Sequence, residues 1–211
     1  MDLPTKNRIL TFLDTHYPHV GCELLYRKDY ELLIAVVLSA QTTDQAVNKV
    51  TPVLFECFPS LAALADAPLS AIESVIQTIG LYRTKAHHVK AIAQQLLTLH
   101  EGRVPSDKAA LTALPGVGIK TANVVRAELF RIPEIAVDTH VHRLAYRLGF
   151  RQRKDDVLVT EKKLRKALPP ERYILFHHQL IHFGRYRCTA KKPMCSACPI
   201  VDLCKEKNKN L

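Results

Sequence analysis

Leu111-Thr112-Ala113-Leu114-Pro115-Gly116-Val117-Gly118-Ile119-Lys120-Thr121-Ala122-Asn123 is the stretch on which the fold turns. A short helical run enters Leu-Pro-Gly-Val-Gly and a second one leaves it, a helix–hairpin–helix over 107–128. Pro115 has no amide hydrogen and stops the first helix; Gly116 and Gly118 permit a tight reversal with unhindered backbone. The free N–H groups of the turn and of the next helix start offer a place for a phosphate. Contact of that kind grips a polyanion's backbone and reads no base edge. The Leu-Pro before the glycines and the Lys-Thr-Ala after them make the pattern far more specific than a bare G-x-G.

Lys120 falls in the first turn of the second helix. Lysines favour helix C-termini, where the dipole suits their charge. Here the dipole opposes the charge, and partial burial would act in the same direction. A neutral amine is a nucleophile able to form a Schiff base with a carbonyl-like carbon; a simple phosphate contact is the plainer alternative. Asp138, in Ile135-Ala136-Val137-Asp138-Thr139-His140, is its natural partner. A helix over 119–130 carries the chain roughly 17 Å at about 1.5 Å per residue. Residues 131–137, if extended, return it by a similar distance at about 3.3 Å each. Asp138 can also cap the helix that follows, and the two roles are compatible.

Working outward, the periodicity predicts helices over 7–16, 60–64, 69–79, 83–99, 108–114, 119–130, 139–148, 156–168 and 171–183, with a further start near Thr43 and Asp44. Tyr30–Ser39 is so densely apolar that strand and buried helix both fit. The connections are short and rich in Pro and Gly. The expected fold class is all-α, a compact helical protein with a cysteine-bearing tail.

That tail carries Cys188, Cys195, Cys198 and Cys204, spaced C-x6-C-x2-C-x5-C. Four thiolates in a small loop repel one another unless a metal or cluster neutralises them. The tail therefore reads as a small fold wound around a metal centre. Cys22 and Cys57 lie in mostly apolar surroundings and read as buried thiols. His178 and His182 share a helix spacing but have no convincing third ligand. Lys and Arg number 30 against 20 Asp and Glu, which favours a polyanionic partner or an anionic membrane. The longest apolar run, Leu32–Leu38, is too short to span a bilayer. The opening MDLPTKNRILTFLD lacks the apolar stretch of a secretory leader, so a cytoplasmic protein is expected.

Taken together, Leu38-Ser39-Ala40-Gln41-Thr42-Thr43-Asp44, Ile79-Gly80-Leu81-Tyr82, Leu114–Ala122, Val137-Asp138-Thr139-His140, Gly184-Arg185-Tyr186-Arg187-Cys188 and the cysteine spacing closely resemble the endonuclease III family of bifunctional DNA glycosylases. The resemblance covers nearly the whole chain in order. It implies two helical lobes, a DNA-binding one over 22–132 and an iron–sulfur one made of 1–21 and 133–211. The latter would hold a [4Fe-4S] cluster on Cys188, Cys195, Cys198 and Cys204. It also implies removal of oxidised or ring-saturated pyrimidines such as thymine glycol from duplex DNA, with lyase action at abasic sites. A single chain could supply the whole site, so a monomer is expected, and without a targeting segment its substrate would be nucleoid DNA. Lys120 and Asp138 would be catalytic. Pro115, Gly116, Val117, Gly118 and Ile119 would grip the backbone. Gln41 would fill the gap left by the extruded nucleotide, Leu81 would wedge near the opposite strand, and His140 would orient the loop or the DNA backbone.

Ile119 stands where the family often has arginine, so one phosphate contact is missing; Arg187, beside the first cysteine, adds a charge that partly replaces it. An adenine glycosylase relative would need a carboxylate between Glu31 and Asp44, where there is none, and usually lacks the lysine. A non-enzymatic DNA-binding module with structural zinc is the other alternative, since thiolates bind zinc well.

Overall fold

The computed structural model describes residues 1–211 as helices joined by turns, with no strand. In order these are α1 (Leu3–His16), α2 (Asp29–Leu38), α3 (Asp44–Cys57), α4 (Leu61–Asp66), α5 (Leu69–Ile76), α6 (Tyr82–Leu99), α7 (Lys108–Ala113), α8 (Ile119–Phe130), α9 (Thr139–Arg147), α10 (Val157–Ala167) and α11 (Tyr173–Tyr186). Short 3-10 turns cover Pro170–Arg172 and Val201–Leu203. The chain forms two compact units: a hairpin unit, Glu23–Phe130, and a terminal unit, Met1–Cys22 with Arg131–Leu211. No helix is long and apolar enough to cross a membrane.

In the hairpin unit the ambiguous Tyr30–Ser39 segment is helical. Every residue of Tyr30–Leu38 is buried, and a helix apolar all round is one that lies in the interior. Glu31 is only 5% exposed. Its Oε2 accepts the Arg27 and Lys28 N–H groups at 2.7 and 3.3 Å, satisfying donors that the helix start would otherwise leave orphaned. α2 packs on α3, α6 and α8, α6 covers α4 and α5, and α7 packs on α8.

The core of the terminal unit joins Ile9, Phe12 and Leu13 of α1 to Val141 and Leu144 of α9, Leu164 of α10, and Phe176, Leu180 and Phe183 of α11. Each fully buried side chain of this size contributes about 1.5–3 kcal/mol. Polar ties fasten α1: Arg172 donates to Asp14 at 2.6 Å, and Lys6 to the Ala167 carbonyl at 3.2 Å. Buried Glu134 pairs with Arg165, which also holds Glu161.

Helix ends differ from the periodicity where local chemistry intervenes. α1 starts at Leu3 because Asp2 accepts the Thr5 N–H at 2.8 Å and Pro4 suits a first turn. α5 stops at Ile76, and residues 77–81 turn the chain toward α6. α11 runs past Phe183 to Tyr186. Cys57 is exposed and Cys22 half-buried, against the expectation of buried thiols. α3 buries Val47, Val50, Thr51 and Leu54; Cys57 is its last residue, and half-buried Phe58 takes the next inward place.

Candidate functional site

The hairpin begins at Asp107, whose Oδ1 accepts the Ala110 N–H at 2.8 Å and starts α7. Leu111, Leu114 and Val117 point into the core and fix the turn from beneath. The Val117 N–H bonds inward to the Leu114 carbonyl at 3.1 Å. The N–H groups of Gly116, Gly118, Ile119 and Lys120 have no partner within the protein. These are the donors that a phosphate oxygen would take.

The two glycines turn out to have different reasons. Gly116 sits at φ +74°, and a Cβ there would lie 2.4 Å from Nδ1 of His88 on α6. Gly118 has no left-handed conformation, and a Cβ added there would meet nothing within 4 Å. The reversal requires only Gly116, so the expectation that both glycines serve it is corrected. A side chain at Gly118 would enter open space. Pro115 is half-buried, whereas Ile119 is 53% exposed and Lys120 is exposed as the second residue of α8. The partial burial expected of this lysine is therefore not found.

Gln41 and Leu81 are both exposed and both left-handed, at φ 55° and 59°. Gln41 occupies the third position of a turn closed by Thr42 N–H to Ser39 carbonyl at 3.1 Å. Leu81 is the N-cap of α6 and is 58% exposed. A left-handed non-glycine residue costs about 1–2 kcal/mol, and such outliers cluster at functional sites.

In the terminal unit Asp138 is the N-cap of α9. Its Oδ1 accepts the Val141 N–H at 2.7 Å, and Oδ2 makes no hydrogen bond within the protein. One oxygen thus fixes the orientation of the carboxylate and the other is unpaired within the protein. His140 is half-buried against Gly184 and receives an Arg143 N–H at 3.3 Å. Burial pushes its imidazole below the usual range; the charges of Arg143 and Arg185 push the same way, and Asp138 opposes them. Lys120 and Asp138 belong to different units.

The four tail cysteines are half-buried and line one cavity of about 260 Å³, with Phe12, Tyr17, Arg147 and Ile200 among its walls. Burial pushes the Cys188 thiol up against the pull of Arg147, and burial together with neighbouring thiols pushes Cys198 up. The donor set thus asks for a compensating positive centre. Four half-buried thiols around one cavity offer the four thiolate ligands that a [4Fe-4S] cluster takes. Arg147 clamps the segment: its guanidinium reaches Cys188 Sγ at 3.2 Å and the Cys188, Thr189 and Ala190 carbonyls at 3.3, 2.8 and 3.4 Å, and it pairs with Glu206 at 3.4 Å. Arg143 adds bonds to the Gly184 and Cys188 carbonyls at 2.9 and 3.0 Å. Sequence reasoning passed over both arginines. Their i, i+4 spacing on α9 was the available signal. Arg187, singled out from its position, is exposed at the end of α11.

The model of the HhH-GPD superfamily of base excision DNA repair proteins matches residues 34–170, and that of the iron-sulfur binding domain of endonuclease III matches 188–204, from the first tail cysteine to the last. Endonuclease III of Escherichia coli K12 is 46% identical over 209 residues, 99% of each chain. The chain belongs to the endonuclease III family. Endonuclease III of Bacillus subtilis is 45% identical over 193 residues, 92% of this chain and 88% of that one. A solved non-covalent endonuclease III–DNA complex matches with TM-score 0.94 at 46% identity, covering 98% of this chain and 96% of that one. A trapped endonuclease III–DNA covalent intermediate matches with TM-score 0.91 at 47% identity, covering 95% and 96%. Like its endonuclease III relatives, the protein is an all-α, iron–sulfur DNA-repair enzyme with a [4Fe-4S] cluster.

Proposed function

We propose that this endonuclease III family protein removes oxidised or ring-saturated pyrimidines, such as thymine glycol, from duplex DNA. It then cleaves 3′ to the abasic site by β-elimination. It acts as a monomer on nucleoid DNA in the cytoplasm. The observation that carries this reading is an exposed lysine in the first turn of α8, directly after a hairpin whose N–H groups are unpartnered. Phosphates held by those groups bring the sugar of one nucleotide toward the Lys120 amine.

The glycosidic carbon cannot be attacked inside a stacked duplex, so the damaged nucleotide must be extruded, and a damaged base costs less to unstack. Gln41 and Leu81 fill the space it leaves. The Lys120 amine attacks C1′ as the bond to the base breaks, and the base departs with the electron pair and a proton. Asp138, oriented by its cap bond, turns the free Oδ2 toward positive charge developing on the sugar and takes protons from the attacking nitrogen. Ring opening leaves an imine between Lys120 and C1′. The imine acidifies C2′; loss of a C2′ proton expels the 3′ phosphate, and water then releases the lysine. Cys188, Cys195, Cys198 and Cys204 hold the cluster, which supplies structural cross-linking of the tail and takes no part in these steps.

Borohydride trapping on a duplex with one thymine glycol, run beside Lys120→Ala, tests the assignment. A covalent adduct is expected from the wild type and none from the variant, with base release lost and duplex binding kept. No wild-type adduct, with the cluster's visible absorbance intact, would sink the role of Lys120.

A further inference from the structure

One stripe of α6 touches every candidate DNA element of the hairpin unit. Leu81, Lys85 and His88 stand at i, i+4 and i+7, which places them on one helix face. Leu81 is itself an exposed tip. His88 lies against Gly116 of the hairpin. Lys85, between them, is 3% exposed and donates from Nζ to Thr42 Oγ1 at 2.7 Å. Thr42 follows left-handed Gln41, and its hydroxyl is directed in turn toward the Ala40 carbonyl at 3.5 Å, on the other side of Gln41. The Lys85 backbone N–H bonds to the Leu81 carbonyl at 3.0 Å. A single residue therefore ties both strained turns, through its main chain to one and its side chain to the other.

Packing alone does not account for a lysine at this place. Thr42 Oγ1 is the acceptor the structure provides for its amine, and burial holds the group below the usual lysine range. A methionine of similar reach would fill the site without burying a charge. What methionine lacks is a donor to hold the Thr42 hydroxyl.

We propose that Lys85 is a positioning residue that locks the Gln41 and Leu81 turns into one preorganised jaw for entering the duplex at the extruded nucleotide. This rests on the proposed roles of Gln41 and Leu81. Held in advance, the two turns need not be ordered at the moment of extrusion, so more of the contact with the opened duplex is available to keep it open.

The test compares two substrates: a duplex with one thymine glycol, and an abasic site inside a three-base bubble where no stacked pair must open. Single-turnover rates are measured for wild type, Lys85→Met, Thr42→Val and Thr42→Ser. Lys85→Met and Thr42→Val should each slow the duplex reaction about tenfold, the rate equivalent of one charge-assisted hydrogen bond. Both should leave the bubble reaction within about twofold, and Thr42→Ser, which keeps the hydroxyl, should recover the duplex rate. Combined, the two substitutions should cost no more than either alone, since they remove the same bond. Equal losses on both substrates, or no loss on the duplex, would overturn the proposal. Should Lys85→Met fail to fold, Thr42→Val carries the same comparison from the other partner. Gln41→Ala and Leu81→Ala separate the two levels: if they do not slow the duplex reaction, the jaw itself is wrong. If they slow it and Lys85→Met does not, only the role of Lys85 falls.

Discussion

Replacing Gly116 and Gly118 one at a time by alanine should separate a glycine the fold needs from one the ligand needs. At Gly116 two costs act together. Holding alanine at φ +74° costs about 1–2 kcal/mol. Its Cβ would fall 2.4 Å from His88 Nδ1 and 2.9 Å from Cγ, so the ring must leave its place on α6, a further cost of about 1–3 kcal/mol. The sum, about 2–5 kcal/mol, is a large part of the 5–15 kcal/mol a domain usually has. At Gly118 neither cost arises, and the loss of a favourable N-cap glycine is offset by a less flexible unfolded chain; the net should stay within about 1 kcal/mol. Urea denaturation followed by circular dichroism measures both, and a His88→Ala background should restore the steric part of the Gly116 loss while leaving the φ cost. Duplex affinity should show the reverse order per unit of stability lost. Gly118→Ala should bind several-fold more weakly because its methyl group enters open space on a residue that carries one of the free N–H groups. A Gly116→Ala cost below about 1 kcal/mol, or no relief from His88→Ala, would refute the packing argument. Unchanged duplex affinity in Gly118→Ala would refute the phosphate argument.

Other perturbations follow from named contacts. Ile119→Arg places a charge beside the hairpin donors and should tighten undamaged-duplex binding; titration at several salt concentrations should show the log–log slope steepening by about 0.9, one added phosphate contact. Arg147→Gln removes the clamp on Cys188, Thr189 and Ala190, and should release iron to a chelator several-fold faster, read as decay of the cluster's visible absorbance. Burial of Asp14 opposes its ionisation, but the Arg172 and Gln179 bonds outweigh this and hold its carboxyl below the ordinary 3.8. A depressed carboxyl contributes stability above its unfolded value that is lost as pH falls through the folded one. Asp14→Asn should therefore destabilise at neutral pH and flatten the loss of stability below about pH 4, measured by thermal unfolding across that range.

Much of the site was legible because its signals are short-range. Proline and two glycines announce the hairpin, and an aspartate ahead of a helical pattern announces a cap, which Asp138 provides. Cysteine spacing announces the centre. α8 could be bounded at Ile119 and Phe130 since both ends follow from neighbours in the chain. Reasoning failed where burial depends on distant partners. Cys57 looked buried from its apolar neighbours, yet α3 ends there with the thiol outside its stripe. Tyr30–Leu38 fitted strand and helix equally until the surrounding elements covered every face.

By itself, then, the sequence determined the helical class, the hairpin and the cysteine set, because each is encoded within one short stretch of chain. Tertiary structure alone decided which groups serve those elements. Lys85 meets Thr42 across 43 residues, and Arg147 meets Cys188 across 41. His88 reaches Gly116 only because α6 passes beneath the hairpin. No periodicity records such meetings: a lysine, an arginine and a histidine on helices look like solvated faces until packing sets each against groups far away in the chain.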